Sequence, residues 1–316
     1  MKTLIVGGAG FIGSHLCDAL LKRGDFVVVI DNMLRGKEDN IAHLANNSNF
    51  VFIKGDANDT KFLVSLIKKY QIEYIYHLAA NSDIQASAKD PQIEFECTAS
   101  TTWSILMAMR QCGVKKLFFA STSAIYGEHD GKMGEHDTEL KPISYYGGAK
   151  MASEAFINSF AFMNDIDALV FRFPNVIGPR LTHGVIYDFI NRLLKNPQEL
   201  DVLGNGTQSK PYIFVLDLID AIVLLDQKNK GLNIYNVGLE TCTSVKDIAY
   251  YVVKGMGLDH CRIIFGESNI GWKGDVPHFQ YNLAKIHALG WEAKHTSGQS
   301  VVATIDDYLK SINYKK

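Results

Sequence analysis

Apolar residues in the first half of the chain gather into short runs separated by helix-length stretches. Residues 3–6, 26–30, 50–53, 74–78, 116–120 and 168–171 are strand-length runs rich in Val, Ile, Phe, Tyr and Leu. Residues 11–21 carry apolar positions at helical period, and 60–70, 91–112 and 145–163 are helix-length segments between the later strands. Strands alternating with helices at this spacing predict an α/β fold, a Rossmann-type doubly wound parallel sheet. Ligands of such sheets lie at the carboxyl ends of the strands. That places Asp56 and Ala57, Ala79 and Ala80, and Ser121 to Ser123 at candidate ligand positions.

The first such end is the most informative. Gly7, Gly10 and Gly13 form G-x-x-G-x-x-G where the first strand turns into the first helix, with Phe11 and Ile12 opening that helix. Gly7 allows a tight turn, Gly10 lets a pyrophosphate approach the backbone, and Gly13 lets helix and strand pack closely. The helix N-terminus adds free N–H groups and a positive dipole end. Asp31, followed by Asn32, ends the second strand, where a carboxylate accepts hydrogen bonds from ribose hydroxyls and repels a 2′-phosphate. The expected cofactor is therefore NAD.

A second constellation is "ISYYGGAK", residues 143–150. In a helix starting near Ser144, Tyr146 and Lys150 share a face and Tyr145 does not. A phenol has a pKa of about 10 and is a poor base at neutral pH. A nearby ammonium and a positive nicotinamide ring would favour its phenolate. Tyr146 is thus the candidate base, with Thr122 placed to bond the same substrate oxygen.

Composition narrows the class further. The chain has 316 residues, 47% of them hydrophobic and 21% charged, as in an ordinary globular protein. A net charge of −2 with dispersed Lys and Arg implies no nucleic-acid partner. No apolar run reaches the roughly 18 to 20 residues that span a bilayer, and the N-terminus has no signal-peptide pattern. Five scattered cysteines read as reduced thiols, mostly core filler, and the ten histidines show no metal-ligand spacing. The expectation is a cytoplasmic protein without a metal.

Taken together, "GGAGFIGSH", "DN" at 31–32, "GDA" at 55–57, "HLAA" at 77–80, "STSAIYG" at 121–127 and "YYGGAK" at 145–150 resemble the extended short-chain dehydrogenase/reductase superfamily. Within it the chain is similar to the nucleotide-sugar epimerase/dehydratase group, which includes UDP-glucose 4-epimerase. The likeness continues through "FRFPNVIGPR", "LGNGTQSKPYIFVLDLIDAI" and "GDVP". It implies that Thr122, Tyr146 and Lys150 carry the chemistry, Tyr146 taking the proton of a sugar 4-hydroxyl and Lys150 also holding the nicotinamide ribose. It implies cofactor contacts at Leu78, Ser121 and Phe173, besides those already named. Ser123, Asn175, Arg180, Lys210 and Asp275 would face a nucleotide-diphosphate sugar. Residues 1–175, with some later segments, would form the NAD-binding domain, and 176–316 mainly a smaller C-terminal substrate-binding α/β domain. In relatives the helices corresponding to 91–112 and 145–163 form a dimer interface, which favours a homodimer here.

The departures from the group matter as much. Its dehydratases carry an Asp-Glu pair directly after the catalytic threonine; Ser123 and Ala124 stand there in this chain and cannot supply that acid and base. Trp272 occupies a position where an arginine on the diphosphate is usual, leaving Lys273, Lys210 or Arg180 to provide charge. Thr98 replaces a usual asparagine near the cofactor, and Pro174 replaces a bulkier aromatic. The expected activity is an NAD-dependent nucleotide-sugar 4-epimerase. The alternatives are a 4-dehydrogenase that releases its keto product, through the same residues, and a catalytically silent NAD-binding sensor.

Overall fold

Seven strands form the central sheet. Those introduced first are β1 (Lys2–Val6), β2 (Phe26–Asp31), β3 (Phe50–Lys54), β4 (Tyr74–His77) and β5 (Lys116–Thr122). The sheet is completed by β6 (Asp167–Phe173) and β7 (Asn233–Asn236), in the order β7-β6-β5-β4-β1-β2-β3. The computed structural model describes residues 1–81, 87–129, 131–271 and 274–315. The pairings of β1 with β2 and β4, of β2 with β3 and of β4 with β5 are all parallel. Their register aligns Val6 with Ile30 and His77, and His77 with Phe119, so β1, β2 and β4 finish nearly level while β5 runs on to Thr122. Because both faces of these strands are covered, Leu4, Ile5, Val28, Val29, Phe118 and Phe119 are all buried, and the strands read as continuous apolar runs rather than alternating ones.

The helices that matter for the site start and stop on local signals. Helix α1 (Phe11–Arg23) has Gly10 as its N-cap and ends at Gly24 in a left-handed conformation, φ 91°. Helix α2 (Thr60–Tyr70) starts on Asp59, whose side chain accepts from the Phe62 N–H. Segment 91–112 differs from the single helix the sequence suggests. It is a short helix, Gln92–Glu94, a π-helical turn, Phe95–Ser100, and then α3 (Thr101–Cys112). The hydroxyl of Thr101 donates to Glu96 O at 2.9 Å and that of Thr102 to Thr98 O at 2.7 Å, so side chains compete for carbonyls at the wide turn. Helix α4 (Tyr145–Asn164) begins on Ser144, whose Oγ accepts from Gly147 N at 3.1 Å.

The chain divides into two compact units. The first contains Met1–Gly127, Glu139–Arg172 and Ile219–Tyr235; the second contains Glu128–Thr138, Phe173–Leu218 and Asn236–Lys316. Within the second, Asn175–Ile177 pairs in parallel with Tyr212–Phe214, and Glu199–Val202 with Arg262–Phe265. Helices Val185–Lys195, Val245–Met256 and Ser297–Ser311 pack with these strands. None of the five cysteines forms a disulfide; Cys17 is buried as core filler, whereas Cys97, Cys112, Cys242 and Cys261 are only partly buried. Among the described residues no helix is long and apolar enough to cross a membrane, and no cluster of His, Cys, Asp or Glu could hold a metal.

Candidate active site

The glycine turn after β1 is built as its spacing suggests. Gly7 has φ 85°, and a Cβ there would lie 2.7 Å from Ala79 N, so the turn presses directly on the strand-end loop of β4. A Cβ at Gly13 would meet Gly7 O at 2.3 Å, which is how α1 comes so close to β1. Gly10 differs: its Cβ would touch only Gly7 O, at 3.2 Å. Among the described residues nothing else crowds it, so its lack of a side chain keeps the helix N-terminus open to a phosphate. Asp31 at the end of β2 is buried, its Oδ2 accepting from Ala9 N at 3.0 Å and its Oδ1 from Met33 N at 2.9 Å. Burial raises its carboxyl pKa and those two N–H groups oppose the rise. A dinucleotide fits this cradle: turn, open helix end and oriented carboxylate lie at adjacent strand ends. Asn32 is exposed and accepts from Leu34 N at 2.9 Å. Asp56 accepts from Asn58 N at 2.9 Å, beside buried Ala57.

Thr122, Tyr146 and Lys150 come together in the first unit. Thr122 ends β5 and its side chain accepts from Ala124 N at 3.1 Å; the Tyr146 phenol is hydrogen-bonded to the same threonine. Lys150 is 1% exposed, donates to Ala120 O at 2.6 Å and lies over the rings of Phe119 at 4.7 Å and Tyr146 at 5.9 Å. Tyr145, by contrast, is 56% exposed, as the helix phase requires. The approach of α4 to the turn after β5 depends on Gly147, where a Cβ would fall 2.5 Å from Ala124 O. The sequence offers that glycine plainly, beside the tyrosines, yet nothing in its spacing marks the contact.

The phenol does not follow the expected electrostatics. Burial and the Glu94 carboxylate push the Tyr146 pKa up, and Thr122 alone opposes them. Lys150 does not offset this, because burial drives its own pKa down to about 7, against Glu94 and Glu154. Among the chain's own groups, burial and Glu94 thus outweigh the hydrogen bond to Thr122.

Below this cluster sits a buried ion pair that the sequence reading missed. Arg172 donates to Glu154 from Nε at 3.1 and 3.2 Å and from Nη2 at 2.7 Å, and to the Tyr126 hydroxyl at 2.9 Å. Ser121, expected at the cofactor, turns its hydroxyl to Glu154. Glu154 is one turn after Lys150 on α4, a spacing that could have drawn attention to it.

The remaining candidates belong to the second unit. Lys210 forms an ion pair with Asp275, whose other oxygen accepts from Gly271 N at 3.3 Å. Asn175 bonds the Tyr212 phenol. Arg180 holds φ 65°, uncommon for a non-glycine residue, and Phe173 is buried. Trp272 and Lys273 lie outside the described residues.

Residues 3–238 match the NAD dependent epimerase/dehydratase family. The chain belongs to that family. This NAD-dependent epimerase/dehydratase is 31% identical over 312 residues to UDP-glucose 4-epimerase of Mycolicibacterium smegmatis, covering 97% of this chain and 98% of that one. It is 26% identical to mouse dTDP-D-glucose 4,6-dehydratase, over 99% of this chain and 90% of the relative. Among solved structures it resembles UDP-glucose 4-epimerase of Thermotoga maritima with UDP-glucose, at TM-score 0.89 and 30% identity over 99% of this chain and 100% of the other. NAD is the cofactor of the family, and the glycine cradle with Asp31 fits it. Replacing Asp31 with alanine should weaken NAD binding about 10- to 100-fold, the worth of a hydrogen bond to a charged group, and relax discrimination against NADP. Titration of the purified variant with both cofactors checks this; unchanged preference would contradict the role.

Proposed function

We propose that this family member is a nucleotide-sugar 4-epimerase that works on C4 of a nucleotide-diphosphate sugar and leaves C5 and C6 untouched. The observation that carries the reading is the hydrogen-bonded Thr122–Tyr146 pair beside buried Lys150, with Ser123 and Ala124 on the turn that follows. Bound NAD supplies the two-electron oxidant for C4. Tyr146 accepts the 4-hydroxyl proton, Thr122 keeps the sugar oxygen in line with the phenol, and Lys150 favours the phenolate when charged. The proton returns from Tyr146 to the same oxygen after the ketone has presented its other face. Dehydration needs an acid at C6 and a base at C5, and a hydroxyl and a methyl at 123 and 124 supply neither.

Lys210 and Asp275 are proposed substrate contacts, with Ser123, Asn175 and Arg180. A second copy of the chain is the proposed partner: Phe95 and Trp103, on segment 91–112, are 58% and 46% exposed, and Trp103 packs edge-on against Phe156 and Phe160 of α4. The function is tested by incubating the protein with UDP-, GDP-, dTDP- and CDP-sugars in deuterium oxide without added cofactor. Catalytic appearance of a C4 epimer, with no enzyme-driven C5 label and no 6-deoxy product, is expected. A keto sugar accumulating once per site points to the 4-dehydrogenase instead, and a 6-deoxy product overturns the reading.

A further inference from the structure

Side chains of β5 alternate between the two faces of the sheet. Phe118 meets Tyr76 and Phe171, whereas Leu117 and Phe119 belong to the core that also holds Ile105 and Met109 of α3 and Ile157 of α4. In the fully buried part of that core the companions of Phe119 are Leu, Ile, Val, Ala and Met, and among the described residues it is the one ring. A charge comes to that ring: Lys150 Nζ stands over its face, 4.7 Å from the centroid. Among the described residues the buried Lys150 amine has one hydrogen-bond acceptor, Ala120 O at 2.6 Å, and makes no salt bridge. One carbonyl dipole is thin compensation for a buried ammonium. The face of an aromatic ring is the negative part of its quadrupole, and it attracts a cation most strongly where water is excluded.

We propose that Phe119 is a positioning residue for Lys150, its ring face holding the ammonium beside Tyr146 through a cation–π contact. The inference rests on reading Tyr146 and Lys150 as the catalytic pair. Ala120 O fixes the direction of one N–H, while the ring attracts the charge as a whole, so two N–H groups of the amine stay available to other acceptors. Both holds come from consecutive residues of one strand. The same strand ends in Thr122, which bonds the Tyr146 phenol. One rigid backbone thus sets the lysine through Phe119 and Ala120 and the phenol through Thr122. The Tyr146 ring, 5.9 Å from the amine, adds a more distant face.

The titratable groups around the amine leave this role to the ring. His77 on β4 touches Phe119, with centroids 5.2 Å apart, and is bonded to Thr102 at 2.9 Å. Burial and Lys150 keep it neutral, so it brings no second cation to Phe119. Glu154 on α4 is taken up by Arg172 of β6, which also reaches the Tyr126 hydroxyl. Glu94, on the short helix packed against α4, accepts from Asn81 at 2.9 Å. Cys97 on the π turn is kept a neutral thiol by burial. Burial drives the Lys150 pKa down to about 7, with Glu94 and Glu154 opposing the fall. For an amine poised there, a ring that favours the charged form raises the titration, and a weakened ring lowers it. The alkaline end of the range in which Tyr146 has a cation beside it follows.

The test replaces Phe119 site-specifically by mono-, di- and trifluorophenylalanine, rings of nearly the same volume whose faces are progressively less negative. The full-length protein, saturated with NAD, carries ¹³C-labelled lysine and is titrated by NMR, with Lys150→Met identifying the signal. The Lys150 midpoint should fall in steps along the series, by about one pH unit in all. In turnover, the alkaline limb of the kcat/KM profile should move to lower pH by the same steps. A ring that serves packing alone would leave the midpoint in place throughout the series, and that result overturns the proposal. Phe119→Leu, which removes the ring, should lower the midpoint at least as far as the trifluoro ring does, and no shift there overturns it too. Should the leucine variant not fold, the fluorinated series decides alone. A protein that turns over no nucleotide sugar defeats the functional reading alone, since the NMR titration needs no substrate.

Discussion

Tyr146→Phe should reduce turnover about a thousandfold or more while NAD stays bound, because general-base catalysis of this kind is worth about 10²- to 10⁴-fold. The substitution removes only the phenol oxygen, the atom hydrogen-bonded to Thr122. The ring remains to fill its place beside Lys150, and the glycine turn and Asp31 are untouched. Tyr145→Phe is the matched control, since that ring is exposed, and its activity should stay within a few-fold of wild type. Turnover of the accepted sugar, with the cofactor content of each purified variant measured after denaturation, gives both readouts. If Tyr145→Phe were the inactive variant, the helix phase assigned to the pair would be wrong.

Arg172→Met should cost about 3 to 5 kcal/mol of stability, the usual result of stripping one partner from a buried ion pair. Glu154 and Arg172 are both nearly inaccessible, and the methionine would leave the carboxylate with Ser121 and without its hydrogen-bonded guanidinium. The double substitution Arg172→Met with Glu154→Leu should recover a large part of that loss, since an apolar pair of similar volume carries no desolvation penalty. Equilibrium urea unfolding of the two variants and the wild type measures this. A single variant as stable as wild type would mean that solvent or backbone groups satisfy Glu154 unaided.

Much of this architecture can be read from the chain because its strands are covered on both faces. A run such as "TLIV" or "FVVVI" has no polar alternation to confuse it, and the glycines and Asp31 fall where runs end. The strands and the cradle follow from local signals. The active-site cluster is legible only in part. Tyr146 and Lys150 are close in sequence, so helical period finds them; Thr122 comes from the end of a strand. Glu94, whose charge raises Tyr146, carries no such mark, because it lies on a short helix that runs into a π turn rather than on a regular helix. The direction of the Tyr146 shift was likewise out of reach, since it turns on how deeply an amine is buried and which carboxylates answer it.

The first unit draws on three separate stretches, and its sheet ends with β7 at residues 233–236. Arg23, at the end of α1, also waits for a distant partner: it donates to Asp226 at 2.7 and 3.0 Å, and Tyr76 hydrogen-bonds the same carboxylate. On the ribosome, then, the glycine turn is among the first parts made, but the unit that holds it cannot close until residue 236 has emerged. Until that moment β6 presents an unpaired edge, a stretch open to wrong strand pairing or to a chaperone.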